Sequence, residues 1–121
     1  MEEVLKAIKQ LRVGKIFEEY ELQKDIANTF DNSGIIYIKE CRLGSGNRVD
    51  FLTQSGVAVE VKKGKPNRTQ LINQINRYAE YPEVEAVVIV VETSLRIPIT
   101  KTANGKPCSV IGLQKQWGIA L

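Results

Sequence analysis

The sequence predicts a single α/β domain with a central mixed β-sheet flanked by α-helices, and three adjoining segments predict it. Val57, Val59 and Val61 alternate with Ala58, Glu60 and Lys62, the period of a strand. Helical spacing follows through Leu71, Ile75 and Ala79 in a segment from Asn67 to Glu80, and Pro82 prevents its continuation. Ala86 to Val91 is then an unbroken apolar run, the mark of a strand covered on both faces. Strand, helix and buried strand form a βαβ unit, which makes 57–62 and 86–91 parallel neighbours or near neighbours joined by a right-handed crossover.

The other elements follow in order. Val4, Ile8 and Leu11 lie at helical spacing, so a short amphipathic helix is expected to end near Gly14. A second helix is expected from about Phe17 to Phe30, with Leu22, Ile26 and Phe30 on one ridge. Asp31, Asn32, Ser33 and Gly34 stop it with helix-ending chemistry. The period then changes. Ile35 to Glu40 is β-branched and aromatic, and Val49 to Thr53 is short and apolar-rich, so both read as strands. Near the end, Asn104-Gly105 reads as a tight turn and Ser109 to Leu113 as the last strand. Trp117 is read as a packing anchor.

Composition narrows the chemistry. At 121 residues, 43% hydrophobic and 26% charged, the chain suits one folded domain rather than two, and neither a disordered nor a disulfide-framework protein. It contains no histidine, which removes the usual general base and the usual zinc ligand. Carboxylates, lysine or a hard metal remain. Cys41 and Cys108 stand apart with no Cys-x-x-Cys pair, and they read as reduced thiols without a catalytic partner. With no apolar run long enough for a signal peptide or a membrane span, the expected location is the cytoplasm.

The net charge of +3 hides an uneven distribution. From Lys39 to Arg77 there are eight bases against three acids, a local +5. A solvated face is the plain reading of charge density alone. The positions of the acids change that weighing. Strand alternation puts Glu60 and Lys62 on one face, opposite the valines. If Gln54, Ser55 and Gly56 form a three-residue hairpin loop with Gly56 left-handed, Thr53 opposes Val57 and Asp50 falls opposite Glu60. Opposed side chains have Cβ atoms roughly 5 Å apart, so two carboxylates there repel and shift each other's ionisation. A bridging divalent cation relieves the repulsion, and hard oxygen ligands suit Mg²⁺.

Asp50, nine intervening residues, then Glu60-Val61-Lys62 resembles the PD-(D/E)XK nuclease motif, with Val49 where that motif carries proline. Glu19-Tyr20-Glu21-Leu22 on a helix is similar to the start of archaeal-type Holliday junction resolvases. The segment Arg42 to Asp50 is similar to the run before their aspartate. Gln74-Ile75-Asn76-Arg77-Tyr78 resembles the Gln-x-x-x-Tyr element of lambda-exonuclease-like members, and helical spacing puts Gln70, Gln74 and Tyr78 on one face. The resemblance implies a restriction-endonuclease-like domain over residues 1–121. It implies Asp50 and Glu60 as metal ligands, the Val61 carbonyl as a further ligand, and Lys62 as the residue that orients or deprotonates the attacking water. Glu19 completes the site, with Glu18 and Glu21 as alternatives nearby. Lys63, Lys65, Arg68, Arg77, Arg42 and Arg48 would hold the phosphate backbone.

Each of these residues also has a plain structural explanation. Glu60 and Lys62 fit the solvent face of an edge strand, and Gln70 and Gln74 fit a polar helix face as readily as a substrate contact. Taken jointly, two acids and a lysine inside a basic stretch carry the expectation of a Mg²⁺-dependent DNA nuclease, with Mn²⁺ as substitute. The resemblance narrows it to a structure-selective endonuclease acting on branched DNA as a homodimer. A general or restriction-type nuclease, a non-cleaving DNA-binding module and a protein-interaction domain are the alternatives.

Overall fold

The computed structural model describes residues 1–9, 19–44, 46–63, 67–91 and 102–112, with the backbone alone for residues 9, 19, 20 and 102. In chain order these form α1 (Glu2–Lys9), α2 (Glu19–Asn32), β1 (Tyr37–Gly44), β2 (Asn47–Thr53), β3 (Val57–Lys62), α3 (Arg68–Ala79), β4 (Ala86–Val91), β5 (Thr102–Ala103) and β6 (Lys106–Gly112). Five strands make a mixed sheet in the order β1, β2, β3, β4, β6, and the two-residue β5 pairs with the start of β6. Strand β2 is antiparallel to both β1 and β3, whereas β3, β4 and β6 run parallel. No helix among the described residues is long and apolar enough to cross a membrane.

The βαβ unit stands at the centre. Its two strands have the expected bounds and pair in parallel from Val57–Ala86 to Lys62–Val91. Every residue of β4 is buried because helices cover both sides of the sheet. Val88 and Val90 pack with Val57, Val59 and Val61 against α1 and α2, where Phe30, Tyr37 and Phe51 meet with ring centroids 5.6 Å apart. Val87, Ile89 and Val91 pack against Leu71, Ile75 and Tyr78 of α3. Helix α3 starts where Asn67 accepts the Gln70 amide at 3.1 Å as an N-cap. Its last turn is closed by the β5–β6 hairpin, whose Asn104 and Lys106 donate to the carbonyls of Ala79 and Tyr81.

Turn chemistry sets the registers. Gly34, at φ +74, ends α2, and the Ile35 amide donates back to Phe30 O at 2.9 Å. That closure uses Ile35, so β1 begins at Tyr37 rather than at the expected Ile35. It also continues past Glu40 to Gly44, because β2 begins two residues before the expected Val49 and keeps pairing with it. Asn104 and Gly105 both have positive φ, the requirement of a two-residue type I′ hairpin. The last strand accordingly starts at Lys106, before the expected Ser109.

Gly56 decides the site's register. With φ +90 it closes the 54–56 loop, and β2 and β3 pair Phe51 with Val59 and Leu52 with Ala58. This is the register in which Asp50 falls across from Glu60. A Cβ at position 56 would lie 3.0 Å from Glu83 O and 2.7 Å from Glu85 Cγ, so glycine is required by space as well as by φ. The end of the first expected helix near Gly14, the start of the second at Phe17, Leu113 and Trp117 all lie outside the described residues.

Candidate active site

Backbone pairing between β2 and β3 stops at Phe51–Val59, and side chains take the place of the next rungs. The Asp50 amide donates to Glu60 Oε1 at 3.0 Å, and the Val61 amide donates to Asp50 Oδ2 at 2.8 Å. Each carboxylate thus binds the other strand's backbone. Since a strand residue's N–H and C=O face the same neighbour, the Val61 carbonyl also lies on the β2 side.

Asp50 reaches β3 because β2 turns over at this residue. Val49 and Phe51 are two apart and by strict alternation would share a face. Instead Val49 belongs to the core beside α3 and Phe51 to the core beside α1 and α2, both fully buried. Strand β1 turns with it. Glu40, across from Asp50 between the Lys39–Phe51 and Cys41–Val49 pairs, has φ 49, an unfavourable value for a non-glycine residue. With its neighbours anchored on opposite faces, Asp50 points along the sheet rather than away from it.

Glu60 is only 7% exposed and is surrounded by donors. Its Oε2 accepts from Gln74 Nε2 at 2.9 Å and lies 3.1 Å from the Tyr78 hydroxyl, with Lys62 Nζ at 3.6 Å. Gln74 also donates to the Tyr78 hydroxyl at 2.8 Å. The single Tyr78 proton has a second acceptor, Arg48 O, at 3.2 Å. A buried carboxylate without partners is costly, and here amide, hydroxyl and ammonium donors offset that cost. The repulsion expected between Asp50 and Glu60 is met by these donors.

Burial, followed by the nearby charge of Glu60, pushes the Tyr78 phenol far above its ordinary value of 10.0. It remains a donor. Above pH 10 the unfolded chain loses this proton while the folded chain keeps it, so unfolding free energy falls as pH rises. A Tyr78→Phe variant is expected to lose that part of the slope. Urea midpoints of the two proteins at pH 8 and pH 10.5 measure it, with wild type falling further.

The remaining expected site residues are dispersed. Gln74 and Tyr78, expected at the substrate, both reach Glu60 Oε2, and Tyr78 is only 2% exposed. Gln70 is exposed, and its side chain makes no hydrogen bond among the described residues. Lys63 and Arg68 are exposed near the end of β3 and the start of α3. Arg77 donates from Nε to Asn47 Oδ1 at 3.4 Å, and Asn47 donates to the Tyr81 hydroxyl at 2.8 Å. Arg42 and Arg48 are exposed on the β1–β2 hairpin. The Glu19 backbone opens α2 while its side chain is outside the description, as are Glu18 and Lys65; Glu21 is exposed.

Two elements of this cluster had no separate signal in the sequence: the Val61 amide that fixes Asp50, and Asn47, which ties Arg77 to Tyr81. Backbone groups are invisible to residue type, and Asn47 lies 30 positions from Arg77. The spacing of Gln74 and Tyr78 was visible, but not what they face.

Compared with protein-family models, curated proteins and solved structures, the chain matches none. The chemistry therefore rests on the residues. Asp50, Glu60 and the Val61 carbonyl are hard oxygen donors, which fit Mg²⁺ or Mn²⁺ in type. Among the described residues no third Asp, Glu, His or Cys joins them. Such an ion would keep much of its shell for water and substrate oxygens.

Proposed function

We propose that the protein is a divalent-metal-dependent DNA nuclease that hydrolyses phosphodiester bonds, acting as a structure-selective endonuclease of the Holliday junction resolvase type. The observation that carries this reading is the meeting of Asp50, Glu60 and Lys62 where β2 and β3 stop pairing, supported by the sequence resemblance to the PD-(D/E)XK motif. At this point of the ladder the two carboxylates take the backbone amides of Asp50 and Val61. In this proposal a bound Mg²⁺ or Mn²⁺ would activate water and stabilise charge on the phosphate.

Each residue has a distinct role in this reading. Asp50 and Glu60 would hold the ion, and they are themselves positioned by the Val61 amide and by Gln74 and Tyr78. Lys62, one-third exposed beside Glu60, presents its ammonium to the water and to the developing negative charge. Glu19 is assigned to complete the ligand set. Lys63, Lys65, Arg68 and Arg77 contact phosphates and give affinity without sequence choice. A homodimer would present two such sites to two strands of branched DNA.

The test is cleavage of linear duplex, single-stranded, flap and four-way-junction DNA in Mg²⁺, Mn²⁺ or EDTA. Metal-dependent cutting, strongest on branched substrates, is expected. Binding without cutting on every substrate would make the protein a DNA-binding module, and absence of binding at low salt would leave an interaction domain. Metal binding has its own readout. At a Mn²⁺ concentration about 100 times its Kd, unfolding free energy is expected to rise by about 2.7 kcal/mol. A double Asp50→Asn, Glu60→Gln variant is expected to lose that increment in thermal denaturation.

A further inference from the structure

Strand β1 ends the sheet, with no strand on its outer side among the described residues. The Gln54 amide donates to Ile36 O at 2.8 Å, so the backbone groups of Ile36 and, by alternation, of Ile38 face β2. Those of Tyr37 and Lys39 therefore face outward, a short row of N–H and C=O groups open to another strand. The row has defined ends. Glu40, at φ 49, breaks the regular strand on one side, and on the other the Ile35 amide is already donated to Phe30 O.

The side chains on this edge suit pairing. Ile36 and Ile38 are 63% and 61% exposed, more than any other large apolar residue among those described. They share the α3 side of the sheet, because Tyr37 between them packs with Phe30 and Phe51 on the other. On that other side Lys39 and Tyr37 line a shallow hollow with Asp31, whose carboxylate sits beside the Tyr37 hydroxyl.

One register satisfies the row. In an antiparallel copy centred on Ile38, Tyr37 of each copy falls opposite Lys39 of the other, and both rungs are hydrogen-bonded pairs that use every outward group of the four residues. Ile38 then meets Ile38 of the second copy in the intervening pair, the kind in which side chains come closest, and Ile36 lies diagonally from it. On the opposite face Lys39 of one copy is carried to Tyr37 and the Asp31 carboxylate of the other, an opposite charge. An unrelated extended peptide could take the same backbone bonds, but a second copy supplies the isoleucine and the lysine at both matching positions.

We infer that β1 is the dimerisation edge of this protein, where two copies join antiparallel about a two-fold axis at Ile38 and continue the sheet from one copy into the other. The homodimer expected from the sequence had no assigned surface, and this assignment rests on the edge itself rather than on the nuclease reading. The axis stands perpendicular to the sheet, so the α3 sides of both copies, with Glu60 and Lys62, lie on the same side of the dimer.

Sedimentation of the full chain at concentrations up to about 100 µM tests the dimer. Wild type is expected at twice the chain mass. Ile38→Asp places two carboxylates against each other and removes two apolar side chains, so it is expected to raise the dimer Kd by about 100-fold while leaving the circular dichroism spectrum unchanged. Oxidative cross-linking reads the register. In a Cys41→Ser background, Ile38→Cys puts two thiols directly across the axis, within disulfide reach, whereas Ile36→Cys leaves them four residues apart, roughly 13 Å along the strands and beyond reach. A cross-linked dimer is therefore expected from Ile38→Cys and not from Ile36→Cys. A monomeric wild type would overturn the inference, as would a dimer that Ile38→Asp does not loosen, or equal cross-linking of the two cysteine variants. No readout involves DNA or metal, so these outcomes are separate from the fate of the nuclease reading.

Discussion

Lys62→Ala is expected to lower cleavage by about 10²- to 10³-fold while leaving DNA binding within about twofold of wild type. The magnitude follows from removing one charged group that acts on the developing negative charge, a loss in that range for a preorganised donor. The fold has little at stake. Lys62 is one-third exposed, and its ion pair is with Glu60 Oε2 at 3.6 Å, a carboxylate that keeps Gln74 and Tyr78. Asp50→Asn is the companion variant. Its amide oxygen can still accept the Val61 N–H, so the join between the strands survives while a negative charge is lost. Single-turnover cleavage, filter binding and circular dichroism together read the result. If both variants cut as wild type does, the assignment of Asp50 and Lys62 to the chemistry is wrong.

The largest stability effect is expected at Phe51. Its side chain is fully buried and meets Phe30 and Tyr37 edge-on, so Phe51→Ala removes a large apolar volume from the centre of the α1/α2-side core. Such truncations cost about 3–5 kcal/mol, because transfer energy is lost and the surroundings fill the cavity only in part. A domain stabilised by about 5–15 kcal/mol is left marginal by that loss. Urea unfolding is the measurement, and a cost below about 1 kcal/mol would contradict the packing. The change also bears on the site: Phe51 is one of the two anchors that direct Asp50 along the sheet. Surviving folded protein is therefore expected to cleave more slowly than its folded fraction predicts.

Much of this arrangement was legible in local patterns. The strict valine alternation of 57–62, the uninterrupted apolar run of 86–91 and Pro82 beyond the helix define the βαβ unit, because each reports burial directly through residue type. Gly56 likewise disclosed the loop, and the loop disclosed that Asp50 faces Glu60. Alternation also placed Glu60 and Lys62 on the face that α3 covers. It failed at β2. The same rule put Val49 and Phe51 together, yet both are apolar and each satisfies either core, so their sequence carries no mark of the turn-over between them.

The roles of Gln74 and Tyr78 show the same limit. Their spacing put them on one helix face, but polar residues on a helix can serve solvent, substrate or a buried charge. The docking of α3 over β3 is what brings a buried carboxylate within reach of the amide and the phenol.

The sequence alone determined the α/β class, the βαβ unit and the register that brings two acids and a lysine together, because burial patterns within each segment and one tight loop report them. The tertiary structure decided which way those acids point and what holds them. Those outcomes depend on which core claims each side chain and on partners up to 34 residues apart, as Asn47 and Tyr81 are, and no local pattern encodes that choice.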